Sequence, residues 1–394
     1  MDITRDILNK LPQENEKIKK LQEILRKGQK YPIVPLDAFI IAIDDKIKPS
    51  QYPDDEFIVL GVANDKGIFV NEKKKGEEIN QSYYIVRRGY FCYNPYRVNV
   101  GSIGLNEYDY DNQIISGAYN VFKVDEKNIE PKYLLALFKS KKFLHYVNEL
   151  ATGGVRMDFK IDYLKKWKIP LPPLEIQKEI VEKIEKQKAI IEGADKILEN
   201  WEVEIIMNDK WNKANLSDIA EVFMGQSPES EFYNENSYGI PFYQGKINFN
   251  EIYISTSKIY TTKITQTAER HDILMSVRAP VGPVNIFTGD KCCIGRGLAA
   301  IRIKKEAANL KYVFYYLKSI ESNIGRDTNT GSIFDSINKE KIMNIKIPLP
   351  PLEIQQKIVE ELDKEMEALE KVKLLKEKAE KRIEEILNEV WGKS

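Results

Sequence analysis

The sequence predicts an α+β protein built twice. Two related strand-rich domains, each with a short helix, are expected to be separated by two long helices paired antiparallel as a coiled coil. The two halves should be related by an approximate two-fold and by a circular internal repeat. Three observations carry this. The ten residues Lys168-Ile169-Pro170-Leu171-Pro172-Pro173-Leu174-Glu175-Ile176-Gln177 return unchanged as Lys346 to Gln355. Each copy opens a stretch with apolar residues at heptad spacing. Each is preceded by a strand-rich segment; the first, 31–125, is rich in Val, Ile, Tyr and Phe and broken by Gly, Asn-Pro and Asp-Asn, the pattern of strands and turns.

In chain order, residues 1–30 read as an N-terminal helical segment, with Ile7, Leu11, Ile18, Leu21 and Leu25 on one side and Gly28 as a stop. Residues 31–150 form the first strand-rich domain, strands to about 125 and then one helix over 131–150. Residues 151–210 are a central region: a Thr152-Gly153-Gly154 loop, a short strand, the motif, and a helix from 174 to about 207. Residues 211–330 repeat the strand-rich domain, with a helix near 308–320. Residues 331–394 repeat the central region, with a helix from 352 to about 390.

The repeat reaches beyond the motif. Lys132-Tyr133 and Lys139-Ser140 match Lys311-Tyr312 and Lys318-Ser319, and Thr152-Gly153 matches Thr330-Gly331. Arg97-Val98-Asn99-Val100-Gly101 lines up with Arg278-Ala279-Pro280-Val281-Gly282. Trp211 is followed by Leu216-Ser217-Asp218-Ile219. Its counterpart Trp391 follows the second long helix, and the matching continuation appears near the start as Leu36-Asp37-Ala38-Phe39. The repeat is therefore circular.

The prolines of the motif cannot lie inside a helix and hold the chain extended. Glu175 then falls in the first helical turn, where the helix dipole favours an anion. The seam of the first long helix is predicted as Ile180, Ile184, Gln187, Ile191, Ala194, Leu198, Trp201 and Ile205. That of the second is Ile358, Leu362, Glu365, Leu369, Val372, Lys376, Ala379, Ile383, Ile386 and Val390. Each helix should be roughly 50 Å long. The polar seam residues Gln187, Glu365 and Lys376 either face solvent at a slack point or fix the register. Antiparallel pairing brings Glu175 near Trp391; parallel pairing leaves them a helix length apart.

Lys+Arg and Asp+Glu both number 60, so net charge is zero, and 42% of residues are hydrophobic and 10% aromatic. No apolar run approaches the roughly 20 residues of a membrane span, and no signal peptide is visible. Cys92, Cys292 and Cys293 suit a reducing compartment, so cytoplasm is the expected location. Catalytic signals are scarce. His145 and His271 have no Ser or Cys motif around them, and no Cys-x-x-Cys pair suggests zinc. No phosphate-binding Gly-x-x-x-x-Gly-Lys-Ser/Thr loop is present. Gly295-Arg296-Gly297-Leu298-Ala299-Ala300 mimics a dinucleotide fingerprint but runs into strand-like Ile301-Arg302-Ile303. Asn94-Pro95-Tyr96 resembles part of an adenine-methyltransferase loop but lacks its second proline, and reads as an Asn-Pro turn. A doubled chain without catalytic chemistry suggests a target with two similar halves, and double-stranded DNA is such a target.

Ile-Pro-Leu-Pro-Pro-Leu-Glu-Ile-Gln, twice, each time opening a long helix after a strand-rich domain, resembles the specificity subunit of type I restriction–modification systems, the HsdS family. Trp211 to Lys304, with Gly225-Gln226-Ser227-Pro228, Asp272-Ile273-Leu274-Met275-Ser276 and the Val281-Gly282 turn, is similar to that family's target recognition domain. Gly89-Tyr90-Phe91-Cys92-Tyr93 takes the place of His271-Asp272-Ile273-Leu274-Met275 in the first domain. The resemblance implies that each domain reads one half of a bipartite, asymmetric DNA sequence. It implies that the helices set the spacing and dock two methyltransferase subunits, which restriction subunits join. S-adenosylmethionine, ATP and Mg would then lie on those partners, with no cofactor or metal in this chain and no catalysis by it.

Candidate DNA-contacting residues are polar loop residues. In the second domain they are Gln226, Ser227, Gln244, Lys246, Lys263, Arg278 and Arg296; in the first, Lys66, Lys73, Lys74, Lys75, Asn94, Arg97 and Asn99. Arg156 follows the Thr-Gly-Gly loop and is a candidate phosphate contact. Any one of them is equally readable as a solvated loop side chain, and Lys73-Lys74-Lys75, between Glu72 and Glu77, as a charged hairpin tip. Arg278 leads because Arg97 is its counterpart. The competing reading is a non-enzymatic tandem-repeat scaffold that binds proteins through its coiled coil, which neutral charge favours. A complete methyltransferase or nuclease lacks the motifs it would need.

Overall fold

The computed structural model describes residues 30–150, 158–304, 306–326 and 335–392. The expected N-terminal helix over 1–28, the Thr152-Gly153-Gly154 and Thr330-Gly331-Ser332 loops and Arg156 lie outside the described residues. The chain divides into two compact units. One comprises residues up to Asp195 together with those from Leu374 onward; the other is Lys196–Lys373.

Among the described residues the first unit holds two larger sheets beside one two-stranded pair. One is antiparallel in the order Ile40–Ala42, Asn120–Val124, Phe91–Tyr93, Ile103–Leu105. The other has five strands, Lys46–Ile47, Tyr83–Ile85, Gln113–Ser116, Glu56–Ala63 and Gly67–Lys75, with one parallel pair, Glu56–Ala63 beside Gln113–Ser116. Strand Glu56–Ala63 reads Phe-Ile-Val-Leu-Gly-Val without alternation and is buried along nearly its whole length, as a strand covered on both faces should be. The region expected to be one helix over 131–150 is two, Pro131–Phe138 and Lys141–Leu150. Ser140 makes the break. Its hydroxyl donates to the Leu137 carbonyl (2.6 Å) and accepts from Phe143 N–H, capping the second helix. Phe138 and Phe143 thereby meet Phe91, Phe122, Phe159 and Trp167 in one aromatic core. The short strand expected before the motif is instead a helix, Ile161–Lys166, and the motif itself supplies the strand, Lys168–Pro170.

The second unit repeats this plan. Its antiparallel sheet runs Ala220–Met224, Leu298–Ile303, Ile273–Ser276, Val284–Ile286. Its five-stranded sheet is ordered Tyr233–Asn234, Tyr260–Thr261, Ile240–Tyr243, Lys291–Ile294, Thr267–Glu269, and Ile240–Tyr243 lies parallel to Lys291–Ile294. Phe91–Tyr93 and Ile273–Met275 occupy equivalent places, as the sequence match implied.

The repeated motif does the same work in each unit. Lys168–Pro170 pairs with Ile33–Pro35, and Lys346–Leu349 pairs with Asn212–Asn215. The next amide in each partner segment, Leu36 N–H or Leu216 N–H, donates to the carbonyl of Trp167 (3.0 Å) or Ile345 (2.8 Å). Tyr133 and Tyr312 donate their hydroxyls to the carbonyls of Pro170 (2.8 Å) and Pro348 (2.7 Å). Pro has no N–H, but its carbonyl is an ordinary acceptor. The final Gln closes the arrangement. Gln177 is fully buried; its amide donates to the Pro172 and Asn128 carbonyls (both 2.9 Å) and its oxygen accepts from Glu130 N–H (2.9 Å). Gln355 donates to Pro350 O (2.8 Å) and accepts from Asn309 N–H (2.8 Å).

The first long helix spans Leu174–Asn200, shorter than expected. Beyond it Val203 and Ile205 are buried while Glu202, Glu204 and Ile206 are exposed. That two-residue period, with β-branched residues alternating with Glu, marks extended chain rather than a further helical seam position. Ile205 is therefore a core residue off the helix. The second long helix spans Leu352–Trp391. At about 1.5 Å per residue the two are roughly 40 and 60 Å long, not equal. They pair antiparallel. In the first unit Ile180 and Ile184 share a core with Ile386, Leu387 and Val390, and Ile176 and Trp391 border it. In the second unit Leu198 and Trp201 pack with Leu362, Met366 and Leu369.

Two of the polar seam positions make cross-helix bonds, which favours the register reading. Lys376 pairs with Asp195 (2.5 Å), and Trp201 Nε1 donates to Glu365 (3.2 Å). The seam also shifts. Val359 and Met366 are buried where Ile358 and Glu365 were expected, while Ile191, Leu198, Val372 and Ile383 are half-buried. The cause is a second partner on that face: Asp363 accepts from Lys311 Nζ and Tyr315 Oη (2.7 Å each), so the helix also packs on the helix Leu310–Ser319. Among the described residues no helix is long and apolar enough to cross a membrane. Replacing Gln177 by Ala strands the Glu130 N–H and should cost about 1–3 kcal/mol. Thermal unfolding is expected to fall by about 2–4 °C per kcal/mol, with Gln355→Ala behaving alike, and unchanged melting of both would refute the motif's role.

Candidate nucleic-acid interface

In the second unit four loops gather at the ends of strands. Gly295 N–H donates to Tyr243 O (2.7 Å), Gln226 N–H to Ile294 O (2.9 Å) and Val277 N–H to Gly297 O (2.9 Å). Arg296 N–H donates to Ser227 Oγ (3.1 Å). The approach is close enough to demand glycine: a Cβ at Gly297 would lie 2.2 Å from the Gln244 carbonyl oxygen, and one at Gly225 2.1 Å from that of Gly295. The result is a 190 Å³ cleft lined by Gln244, Gly245, Lys246, Ser276, Arg278, Ala279, Arg296 and Gly297. Four of the seven expected residues of this domain, Gln244, Lys246, Arg278 and Arg296, thus meet in one place. All four are exposed, and none has a side-chain hydrogen bond or ion pair to another described residue. Gln226 and Ser227 border the same loops. Lys263 does not share their freedom: it pairs with Glu229 (2.6 Å) and lies over the Phe232 ring (5.0 Å).

In the first unit the corresponding loops also meet. The turn Asn64–Lys66 follows the parallel-paired strand, as Gln244–Lys246 does in the second unit. Lys139 Nζ ties it to the Arg97 loop, donating to Asn64 O (3.0 Å) and Gly101 O (2.7 Å). Burial, with a lesser push from Lys188, brings the Lys139 ammonium down to about 8 against the opposing pull of Asp65. Lys66 lines a 630 Å³ cavity with Lys139, Lys188 and Trp391. Asn94 Oδ1 accepts from Tyr96 N–H (2.9 Å), the expected Asn-Pro turn, which carries Arg97 exposed at its end with Asn99 half-buried beyond.

Lys73, Lys74 and Lys75 are not a hairpin tip. They end the strand Gly67–Lys75, an edge of the five-stranded sheet and about 25 Å of strand from Lys66. Lys73 pairs with Glu56 (3.2 Å) and Lys74 with Glu72 (2.9 Å). Charged edge residues of this kind keep a sheet from pairing with another chain. The structure thus separates these three from Arg97 and Asn94.

Sequence reasoning passed over Ile247, which is 93% exposed beside Lys246. An Ile in a polar loop was the available signal, since an apolar tip suits a thymine methyl group. Elsewhere, His145 lies on an exposed face beside Glu149 (3.2 Å). Cys92, Cys292 and Cys293 are buried, and burial pushes the Cys292 thiol up to about 12. Among the described residues no group of His, Cys, Asp and Glu could hold a metal ion. Gly295-Arg296-Gly297 runs into the strand Leu298–Ile303, not a helix, so it is no dinucleotide site.

The comparisons with known proteins agree with one another. The model of the type I restriction modification DNA specificity domain matches residues 42–200 and again 208–380. A protein of Methanocaldococcus jannaschii, provisionally named the type I restriction enzyme MjaX specificity subunit, is 37% identical over 305 residues, 68% of this chain and 69% of that one. A chain solved in work on complex assembly and conformational transition of the type I R-M system superposes with a TM-score of 0.62 at 26% identity, covering 92% of this chain and 97% of that one. The type I restriction-modification S subunit from M. genitalium, 15% identical, shares the fold with a TM-score of 0.50 over 98% of this chain and 99% of its own. With two matched domains across most of its length, this chain belongs to the type I restriction–modification DNA specificity family and is a specificity subunit that recognises DNA sequence.

Proposed function

We propose that each unit reads one half of a split, asymmetric duplex DNA target through its own pair of loops, the one after the parallel-paired strand and the one that carries Arg278 or Arg97. The single observation behind this is the cleft of the second unit, where Gln244, Lys246, Arg278 and Arg296 converge without a carboxylate among its lining residues. Exposed donors held on a fixed backbone suit the edges of base pairs and the phosphates beside them. The net charge of zero is no obstacle, because electrostatic attraction depends on where the charges lie rather than on their sum. The assignment of Gln226, Ser227, Asn94, Arg97, Asn99 and Lys66 to the same surfaces follows from their loops; Lys73, Lys74, Lys75 and Lys263 contribute less, because carboxylates engage Lys73, Lys74 and Lys263 and the three at 73–75 stand apart from the converging loops.

The two long helices set the interval between half-sites and dock two methyltransferase subunits, with restriction subunits joining the assembly in the cytoplasm. S-adenosylmethionine, ATP and Mg belong to those partners, and this chain transfers no methyl group by itself. The purified chain given S-adenosylmethionine and DNA is therefore expected to leave the DNA unmodified; methyl transfer without a partner would overturn this part of the proposal. In the assembled complex Arg278→Ala should weaken binding to the cognate duplex about tenfold, in line with the worth of one arginine contact of about 1–3 kcal/mol. Lys75→Ala should change it less than twofold. Equal affinities of wild type and Arg278→Ala, in a gel shift at one salt concentration, would remove the cleft from the interface.

A further inference from the structure

The cleft of the second unit holds two arginines whose forks bond to no other described residue, and that narrows what it can read. We infer that Arg278 and Arg296 read two guanines, next to each other or one step apart, in the half-site of the second unit. The inference rests on the cleft being a DNA interface, as proposed above, and goes further by naming the bases.

Both side chains leave backbones that are clamped. Arg296 sits between Gly295, whose N–H is bound to Tyr243 O (2.7 Å), and Gly297, whose carbonyl accepts from Val277 N–H (2.9 Å); its own N–H is held by Ser227 Oγ (3.1 Å). The Arg278 carbonyl accepts from Ser276 Oγ (3.2 Å), and the next N–H, that of Ala279, donates to Asp335 O (3.0 Å). A clamped backbone reduces the freedom lost on binding and aims the fork. Arginines of the same unit that serve the fold look different. Arg302 is taken by Asp272 (2.9 and 2.8 Å) and Glu269 (3.1 Å), and Arg270 by Asp290 (2.7 Å).

A 190 Å³ cleft is below the roughly 300 Å³ at which small-molecule pockets begin, so it does not take in an extruded nucleotide. Both arginines line this one small cleft, so the bases they reach lie within about two base-pair steps of 3.4 Å each. Within that span the planar guanidinium fork matches the O6 and N7 acceptors of guanine, which no other base presents together in the major groove. The first unit has the same strand frame with a different side chain at this point. Pairing of Phe91 with Phe122, against Ile273 with Ile301, puts Gly117 in the register position of Arg296. One frame carrying Gly in one unit and an unpaired Arg in the other is what readout requires, whereas packing would leave the Arg engaged.

The test uses the assembled complex with its methyltransferase subunits. Methylated adenines are mapped genome-wide in cells carrying the wild-type chain, Arg278→Ala or Arg296→Ala, which gives the target and the position each variant relaxes. Binding is then measured on duplexes with 7-deazaguanine, which lacks the N7 acceptor but keeps base pairing. Each variant is expected to relax one guanine of the same half-site, within two steps of the other. 7-Deazaguanine at that position should weaken wild-type binding about tenfold and the matching variant not at all. Relaxation at an A·T pair, or a uniform loss for all sequences with the motif unchanged, overturns the guanine assignment while leaving the cleft on DNA. If neither variant alters motif or affinity, the cleft does not touch DNA and the underlying reading fails with it.

Discussion

A buried carboxamide at the start of each long helix holds together three pieces of chain that are distant in sequence or turned apart by proline. Gln177 joins the proline segment of its own motif, the Asn128–Glu130 turn and, through that turn, the helix Pro131–Phe138. Gln355 does the same with Pro350 and Asn309. An amide offers two donors and an acceptor that cannot ionise, so it can be sealed from water without the cost of burying charge. The prolines beside it supply carbonyls but no competing N–H groups, which leaves those carbonyls for Tyr133, Tyr312 and the glutamines. The direction of each long helix, and hence the frame of each domain, depends on this junction.

Much of this was legible in the sequence because repetition is independent of propensity. Ten identical residues announced the junction, and the heptad spacing announced the helices. Antiparallel pairing followed, and Ile180 and Ile184 do share a core with Ile386 and Val390. The misreadings have local causes. Val203 and Ile205 continue an apolar pattern that suits either period, and tertiary burial selected the two-residue one. Met366 replaced Glu365 in the seam because Lys311 and Tyr315 draw that face of the helix toward a second partner. The break at Ser140 is a capping event too brief to alter the apolar spacing of 131–150.

The candidate site was legible in part, for a different reason. Arg278 stood out through its match with Arg97. Gln244, Lys246 and Arg296 were chosen only as polar loop residues, far apart in the chain. What gathers them is the parallel pair Ile240–Tyr243 and Lys291–Ile294, which sets two strand ends side by side. A parallel pairing joins distant segments and leaves no short turn signal in the sequence. The lysines at 73–75 show the converse: a conspicuous charge run proved to be an edge strand, with Lys73 and Lys74 answered by Glu56 and Glu72.

The tight glycine contact at Gly297 separates two duties that most loops must combine. Main-chain bonds and the Ser227 hydroxyl fix the shape of the surface there, and the Arg296 side chain makes none of those bonds. Under the readout proposed for Arg296, a single codon change at such a place alters what is read without disturbing the backbone that presents it. Chains of this design can acquire a new vocabulary one letter at a time, and partners that attach elsewhere need no matching change.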